Sequence, residues 1–413
     1  MRIIADLHIH SRYSRSCSKD LTLPNIAKAC EKKGIQYVAT ADALHPIWRQ
    51  EIDKYLEEKD GAFYLKDGSS PTAFCLSVEV SCIYKRYDKT RRLHHILLFP
   101  DLYALDKTIE ILTNRGFNLK SDGRPILGLD SYDLLKMLLE IDERILLIPA
   151  HVWTPWFAIF GSKSGFDSIE ECFGDLSPHI YAIETGLSSD PPMNWRISAL
   201  DKIFLVSNSD AHSIDNLGRE ANVFEMEKPS YAELRRILAE HDLSKFVETL
   251  EFFPEEGKYY ADGHAECKFW CEPSKSKSLG GRCPKCGKLL TIGVLSRIQD
   301  LADRSGQIER PKSSVPFKSL IPLRILIADC LGKGQKSKGV DVIYQLMVAQ
   351  ASEFDILLFL SEERLAEFSR PDVLDCILRL RRGDVDLRPG YDGVFGEIHV
   401  CGERPKFEQG GLF

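Results

Sequence analysis

Short apolar runs that stand next to a carboxylate or an imidazole recur through the first 250 residues of this 413-residue chain. The first run, Ile3-Ile4-Ala5, ends at Asp6 and is followed by His8 and His10. Extended backbone points two side chains that stand two apart to the same side, where one cation could take both. A single pair of this kind is more often two surface histidines, so its meaning depends on the other runs.

Six later runs also stand next to such residues, which follow five of the runs and precede the one that begins with His94-His95. The polar residues are Asp42, Glu79, the pair His94-His95, His151, Glu184, and Asp210 with His212. Helical stretches at 23–33, 131–140 and 230–240 alternate with the runs, which predicts an α/β fold of parallel strands and crossover helices. Side chains at the carboxyl ends of such strands converge on one rim of a barrel. The convergence therefore predicts a polynuclear metal site.

Composition places the chain among ordinary globular proteins, with 44% hydrophobic residues and a net charge of −7. No apolar run approaches the length of a membrane span, and the first predicted strand leaves no room for a signal peptide. We therefore expect a cytoplasmic protein, and a monomer. Cysteines that stand singly in apolar segments are predicted to be buried free thiols; they are Cys30, Cys75, Cys82, Cys330 and Cys376.

Charge is unevenly distributed along the chain. The stretch from Lys258 to Lys338 holds 16 Lys and Arg against 7 Asp and Glu, a net of +9, which leaves −16 for the remainder. This asymmetry favours an acidic, metal-binding body joined to a basic segment that could follow phosphates. A solvated basic face without a ligand is the competing explanation.

A cysteine cluster follows the point near Phe252 where the alternation stops. Cys267 and Cys271 precede Cys283-Pro-Lys-Cys286-Gly, which has the tight turn of a zinc ribbon. Four thiolates would close a structural zinc site, with His264 as a substitute ligand and four unrelated cysteines as the alternative. We therefore predict a catalytic barrel at 1–252, a basic zinc ribbon and helix at 253–310, and a helical DNA-binding region at 311–413.

Other segments suggest contact with DNA. The predicted DNA-binding residues lie in a basic hairpin, in the ribbon and in a glycine- and lysine-rich linker; they are Lys85, Arg86, Arg91, Lys285, Lys288 and Lys333. The aromatic stretch 153–173 could stack on an extruded base, with core packing as the alternative. The last residues, with Gln409, Leu412 and Phe413, match a sliding-clamp peptide, although so short a pattern also arises by chance.

These motifs resemble the PHP (polymerase and histidinol phosphatase) superfamily. Asp6-Leu-His8-Ile-His10 matches its first motif, Thr40-Ala-Asp42 its second, Glu79 and His94 its third, and His151 and Ser209-Asp210-Ala-His212 the last two. Ala43 departs from it, because many members have His there. Further stretches, among them Ile148-Pro-Ala-His-Val-Trp, Cys283-Pro-Lys-Cys-Gly and Pro389-Gly-Tyr-Asp-Gly, are similar to the endonuclease Q family within it.

The resemblance implies a distorted (β/α)7 barrel, followed by a small zinc ribbon and a helical C-terminal region. It implies up to three divalent cations in the barrel and cleavage of DNA on the 5′ side of a deaminated base or an abasic site. The ligand set under this hypothesis is His8, His10, Asp42, Glu79, His94, His151, Asp210 and His212, with His94 preferred to His95.

Asp210, His212 and Glu79 are the predicted catalytic residues, and Asp210 is the one whose loss should matter most. Glu184 and Trp156 are candidates for reading the base. Two rivals stay open: a phosphatase of small phosphate esters, and a DNA-binding scaffold with an inactive barrel.

Overall fold

A computed structural model of the chain describes residues 1–306 and 308–401. Strands occur throughout, and their bounds are β1 Arg2–Asp6, β2 Tyr37–Ala39, β3 Leu56–Lys59, β4 Ala62–Leu65, β5 Ala73–Arg86, β6 Lys89–Phe99, β7 Ile126–Leu127, β8 Leu146–Pro149, β9 Ala182–Glu184, β10 Phe204–Val206, β11 Ala221–Glu225, β12 Phe246–Glu251, β13 Asp262–His264, β14 Phe269–Cys271, β15 Phe317–Ser319, β16 Asp386–Arg388 and β17 Glu397–His399.

The α-helices are α1 Leu23–Lys33, α2 Pro46–Tyr55, α3 Leu102–Asn114, α4 Ser131–Ile141, α5 Ile169–Phe173, α6 Pro191–Asn194, α7 Tyr231–Ala239, α8 Pro273–Ser278, α9 Val294–Leu301, α10 Leu323–Leu331, α11 Lys338–Val348, α12 Glu362–Ala366 and α13 Pro371–Arg381, with a π-helical turn at Asp355–Phe359. In the part of the chain that the structure describes, no helix has both the length and the apolar character required to cross a bilayer.

Two compact units make up the described chain. The first contains Met1–Glu31, Ile35–Glu251 and Leu301–Lys318. The second contains Lys32–Gly34, Phe252–Asp300 and the residues from Ser319 onward. Leu301–Lys318 belongs to the first unit, where Arg304 pairs with Asp201 and Ser314 accepts a hydrogen bond from Trp195 Nε1. The division at 252 agrees with the end of β12, while the predicted three-part division stays a prediction.

Seven strands of the first unit form an irregular ring. β1, β2 and β5 are parallel neighbours, and β5, β6 and β8 are antiparallel neighbours. A hydrogen bond of 3.0 Å from Val152 N to Glu184 O connects the end of β8 to β9, which is parallel to β10. A parallel bridge between Ile9 and Ala211 returns the ring to the end of β1. The predicted α/β class and distorted barrel are confirmed, whereas the expectation of uniformly parallel strands is wrong at the β5–β6 hairpin.

Burial explains why these segments form strands. Ile3, Val206 and Phe224 are almost fully buried in one apolar cluster with Leu98 and Ile148. Burial of this kind stabilises by about 1.5–3 kcal/mol for each large side chain. Among the helices of this unit, α4 buries Leu134, Leu135 and Leu138, and Asp130 caps it by accepting a hydrogen bond of 2.9 Å from Tyr132 N. The core thus fixes the strand ends that carry the polar residues.

The second unit contains the β13–β14 hairpin and the helices α10 to α13. The predicted helical C-terminal region is confirmed, and beside its helices lies the antiparallel pair β16–β17. Cys376 of α13 forms a disulfide with Cys401, so the prediction that Cys376 is a free thiol is wrong. Cys30, Cys75 and Cys82 are buried free thiols, as predicted.

Candidate metal centre

Two groups of ligand-type atoms lie at the strand ends of the barrel. The first consists of His8, His10, Glu79 and Asp210, and the second of Glu79, His94 and His151. Within each group the candidate ligand atoms all lie within 4.8 Å of one another. Glu79 belongs to both groups, and its side chain is fully buried.

The Glu79 carboxylate faces one group with each of its oxygens. Oε1 lies 2.6 Å from His94 Nδ1 and 3.1 Å from His151 Nε2. Oε2 lies 3.2 Å from His10 Nε2 and 3.6 Å from His8 Nε2. This is the arrangement of a carboxylate that bridges two cation sites.

Three polar atoms of the first group are buried without a hydrogen-bond partner among the described residues. They are His8 Nε2, His10 Nε2 and Asp210 Oδ1. Asp210 Oδ1 lies 3.0 Å from His10 Nε2 and 3.7 Å from His8 Nε2, without hydrogen-bond geometry. An unpaired buried polar atom costs about 1–3 kcal/mol. A divalent cation would satisfy all three, so the residues present fit a metal.

Two of these histidines use Nδ1, the nitrogen that points away from the ligand group, for contacts with neighbouring side chains. These contacts fix the orientation of the rings. His8 Nδ1 lies 3.0 Å from Glu184 Oε1, and Glu184 Oε2 also accepts a hydrogen bond of 2.8 Å from His151 N. His10 Nδ1 lies 3.1 Å from Ser14 Oγ. With Nδ1 donating, His8 turns the lone pair of Nε2 toward Glu79 and Asp210, as metal-binding histidines do.

Neighbouring imidazoles and a guanidinium determine whether the two carboxylates of the centre, Glu79 and Asp210, are ionised. Burial opposes the charged form of Glu79, but His94, Arg124 and His8 outweigh it and hold the pKa of Glu79 well below its usual range. Burial likewise opposes ionisation of Asp210, yet its contacts with His10 and His8 lower its pKa. Both carboxylates are therefore anionic at neutral pH, which suits them to hold a cation.

Asp42 lies beside the two groups rather than in either of them. Its carboxylate accepts hydrogen bonds from Ser11 N at 2.9 Å and from Ser14 Oγ at 2.9 Å, and it lies 3.4 Å from His10 Nδ1. In this structure the predicted ligand Asp42 orients His10. Asp6 has a comparable role, because it accepts hydrogen bonds from Ser209 N and Gly218 N and so holds the turn before Asp210.

His212 lies at the open side of the first group. Its ring is 4.5 Å from that of His10 between centroids, and its Nδ1 lies 2.8 Å from the Asp210 carbonyl oxygen. A carbonyl only accepts, so Nδ1 carries the proton and Nε2 keeps a lone pair for a cation. The structure thus leaves His212 able to serve as a ligand, although it belongs to neither group.

Adjacent residues of a strand point to opposite faces, which separates His94 from His95. His94 joins Glu79 and His151, whereas His95 Nε2 lies 2.8 Å from Ser131 Oγ on the other face of β6. Burial lowers the pKa of His95 to about 3, so it is a neutral core residue. The sequence alone cannot separate the two, because the direction of a side chain depends on where the strand begins.

Most aromatic residues of the 153–173 stretch are core residues. Trp153, Phe160, Phe166 and Phe173 are buried, which favours core packing over base stacking for them. Trp156 is the exposed exception, with 41% of its surface accessible.

The predicted DNA-binding residues of the basic hairpin also divide into packed and exposed side chains. Arg91 is buried with its guanidinium 4.0 Å from the centre of the Phe166 ring, and Arg86 donates a hydrogen bond of 2.7 Å to Cys172 O. These placements favour a packing role for both arginines. Lys85 is exposed, as are Lys285, Lys288 and Lys333 of the second unit.

The ribbon of the second unit forms a third ligand group, which differs from the predicted one. Its members are His264, Cys267, Cys283 and Cys286. Cys271 lies outside this group, although it packs in one small apolar cluster with Cys283, Leu290 and the partly buried Cys267. The left-handed turn at Lys268, with φ of 48°, lies between Cys267 and the strand that carries Cys271. The group is a thiolate-rich site of the kind that binds zinc.

Two residues near the barrel groups were missed as site residues or given a different role. Glu184 was predicted only at a strand end and as a possible base reader, and Arg124 was not singled out, although its Nη1 lies 3.0 Å from Glu79 Oε2. The Gly-Arg-Pro context of Arg124 carries no metal or phosphate signature. The predicted clamp residues Gln409, Leu412 and Phe413 lie outside the described residues, and that prediction and the monomeric state stay predictions.

Comparison with known proteins gives consistent matches over the whole chain. No protein-family model matches it. It is 35% identical to the lesion-specific endonuclease PfuEndoQ from Pyrococcus furiosus, over 97% of this chain and 95% of that one, with a TM-score of 0.86. It is 34% identical, over 100% of both chains and with a TM-score of 0.84, to endonuclease Q in complex with a 27-mer duplex substrate that has an abasic lesion at the active site.

A further relative matches part of the chain. An uncharacterized protein of Methanocaldococcus jannaschii is 29% identical over 285 residues, which are 66% of this chain and 35% of that protein. The chain therefore spans about a third of the length of that relative.

Proposed function

Because this chain belongs to the endonuclease Q family of DNA endonucleases, we propose that it cleaves DNA on the 5′ side of damaged nucleotides. The proposed lesions are uracil, hypoxanthine, xanthine and abasic sites, and the proposed products carry a 3′-hydroxyl and a 5′-phosphate. The family member with an abasic lesion at its active site supports the last of these lesions most directly.

The observation that carries this proposal is the Glu79 carboxylate between two ligand groups. A phosphodiester is cleaved in line, and both the entering and the leaving oxygen need charge stabilisation. Two adjacent cation sites with one shared carboxylate meet that need. The barrel side chains that would hold the cations are His8, His10, Glu79, His94, His151 and Asp210, with His212 at the open side.

We propose that two or three divalent cations bind in the barrel, with Zn²⁺, Mn²⁺ and Mg²⁺ as the candidates. Bound there, such cations acidify a water molecule and neutralise charge on the phosphate. The five imidazoles favour Zn²⁺ over Mn²⁺ and Mg²⁺, which prefer oxygen ligands. A separate zinc ion in the ribbon group would be structural, because four protein ligands leave no open position.

Asp210 is the proposed catalytic carboxylate of the chain. Its side chain keeps 26% of its surface accessible, while those of Glu79, His8 and His10 are closed off. It can therefore reach a water molecule from the solvent side, orient it and accept its proton as the new P–O bond forms. The P–O3′ bond breaks with its electron pair on the 3′-oxygen, which takes a proton from solvent while Asp210 releases the proton it accepted, so the net reaction adds one water molecule.

The rival functions are disfavoured by different features. A phosphatase of small esters has no need for the ribbon and the basic second unit, yet the match to endonuclease Q covers both. An inactive scaffold has no need for a bridging carboxylate or for buried unpaired imidazole nitrogens.

The test is nicking of a labelled duplex that contains a single deoxyuridine, in Mg²⁺ or Mn²⁺, beside an undamaged duplex of the same sequence. We expect a nick in the damaged duplex alone, abolished by a chelator and reduced at least about 10³-fold in the Asp210→Ala variant. Tight binding without a nick would favour the scaffold, and neither binding nor a nick would favour small phosphate esters.

A further inference from the structure

We propose that Arg124 binds a phosphate of the DNA substrate, on a loop whose position depends on the absence of a side chain at Gly123. This inference rests on the proposed function and adds a substrate-binding residue to it. Arg124 lies outside both ligand groups of the barrel.

The loop that carries Arg124 is fixed on both sides of the centre. Gly123 N donates a hydrogen bond of 3.0 Å to Tyr13 O, directly after the first motif. Pro125 O accepts a hydrogen bond of 3.0 Å from Ser81 N, two residues beyond Glu79. The loop is therefore held by the segment that follows His10 and by β5, which carries Glu79.

Gly123 touches the centre through its backbone. A Cβ placed on Gly123 would overlap both Asp42 Oδ2 and Ser14 Oγ, and Asp42 is the carboxylate that orients His10. Only glycine permits this approach, because every other residue would displace the Asp42 carboxylate. The close approach of Gly123 consequently fixes the backbone position of the next residue, Arg124, at the rim.

The charge on Arg124 matters because its partner is a shared ligand. In this structure its Nη1 lies 3.0 Å from Glu79 Oε2, the oxygen that faces His8 and His10. A cation held by those imidazoles would claim the same oxygen and repel the guanidinium. Glu79 would then cease to neutralise Arg124, whose side chain is 27% exposed at the rim.

A guanidinium beside the cations then matches a phosphate. It carries five donors in a planar fork, and paired donors bind phosphate oxygens in a bidentate manner. Arg219 offers a contrast, because its guanidinium donates to the Ser209 and Asp210 carbonyl oxygens and so supports the Asp210 turn. Arg124 is thus the rim arginine whose pairing depends on whether cations occupy the centre.

The experiment compares wild type with Arg124→Gln, Arg124→Lys and the control Arg144→Gln, whose arginine is exposed and paired with Asp142. Three quantities are measured: bound metal, single-turnover cleavage of an abasic-site duplex, and the salt dependence of binding to that duplex. We expect Arg124→Gln to keep its metal, to cleave about 10²–10³-fold more slowly, and to lose about one unit of slope in log K against log salt. Arg124→Lys should recover part of the rate.

Two results would overturn the proposal. One is an Arg124→Gln variant with the rate and salt slope of wild type, and the other is a variant that loses its metal, because Arg124 would then only support the ligand groups. If wild type itself fails to cleave the duplex, the proposed function has failed, so the two failures are distinguishable.

Discussion

Three predicted ligands hold backbone conformations that residues other than glycine rarely adopt. Asp42, His151 and Asp210 have φ values of 36°, 30° and 46°. A conformation of this kind costs about 1–3 kcal/mol and persists only where neighbours hold it. Such neighbours are present, since His151 N donates to Glu184 and Asp210 N donates to the His8 carbonyl oxygen at 2.9 Å. The barrel therefore stores strain at its metal rim.

Glu79 should be the residue whose loss weakens metal binding most, because it serves both groups. We expect Glu79→Gln to lose bound barrel metal and to reduce cleavage by at least about 10³-fold, since the amide neither bridges nor balances the cations. Glu184→Gln should weaken metal affinity by only about 10–100-fold, because Glu184 acts through His8 and His151. Metal titration of both variants gives the comparison. Equal effects in the two would contradict the bridging role of Glu79.

A buried carboxyl below the rim should make stability depend on pH. Burial raises the pKa of Glu251 from 4.5 to about 7, although the Thr249 and Thr185 hydroxyls donate to it at 2.5 Å and 2.9 Å. Between these values the folded state holds a proton that the unfolded state has lost. Stability should therefore fall as pH rises from 4.5 through 7, by up to about 3 kcal/mol.

The Glu251→Gln variant should remove most of this dependence and should be more stable than wild type at pH 8. Urea unfolding at pH 5, 6, 7 and 8 measures it, with exposed Glu240→Gln as the control. The assignment would be contradicted if the stability of Glu251→Gln changed from pH 5 to pH 8 by the same amount as the stabilities of wild type and Glu240→Gln.

At the scale of elements, the sequence predicted α1 at its observed bounds because Pro24 stands at its start, lysines end it, and Gly34 follows with φ of 83°. The direction of β6 was missed, because an apolar run of that length has no signal for parallel or antiparallel pairing. Tertiary contacts decide such features, and a local pattern does not contain them.

The ribbon gives the clearest prediction for a single element. Since His264, Cys267, Cys283 and Cys286 form the ligand group, Cys267→Ser should lose the ribbon zinc while Cys271→Ser keeps it. A structural zinc contributes about 10–16 kcal/mol of folding free energy, so the first variant should also unfold locally. A thiol reagent modifies the cysteines of the ribbon group and releases its zinc. The barrel groups contain no cysteine, so the released zinc is a measure of the ribbon site alone. Loss of that zinc in Cys271→Ser, with retention in His264→Asn, would restore the four-cysteine site.

At the scale of the whole molecule, acidic and basic residues are divided along the chain. The stretch from Lys258 to Lys338 is basic, and most of it lies in the second unit, whereas the ligand groups of the barrel lie in the first. Composition alone indicated this division, because charge can be counted without knowing the fold. The sequence could not indicate that Leu301–Lys318 packs with the first unit, since its contacts with Asp201 and Trp195 join residues about a hundred positions apart.

The central claim is metal-dependent hydrolysis on the 5′ side of a damaged nucleotide. It is tested most directly by mapping the nick in a duplex with one deoxyinosine, labelled in turn at the 5′ and the 3′ end of the damaged strand. We expect a single break immediately 5′ of the lesion, with a 3′-hydroxyl that a polymerase extends and a 5′-phosphate on the lesion-bearing fragment. A break on the 3′ side, a break in the undamaged strand, or no break with metal present would contradict the account.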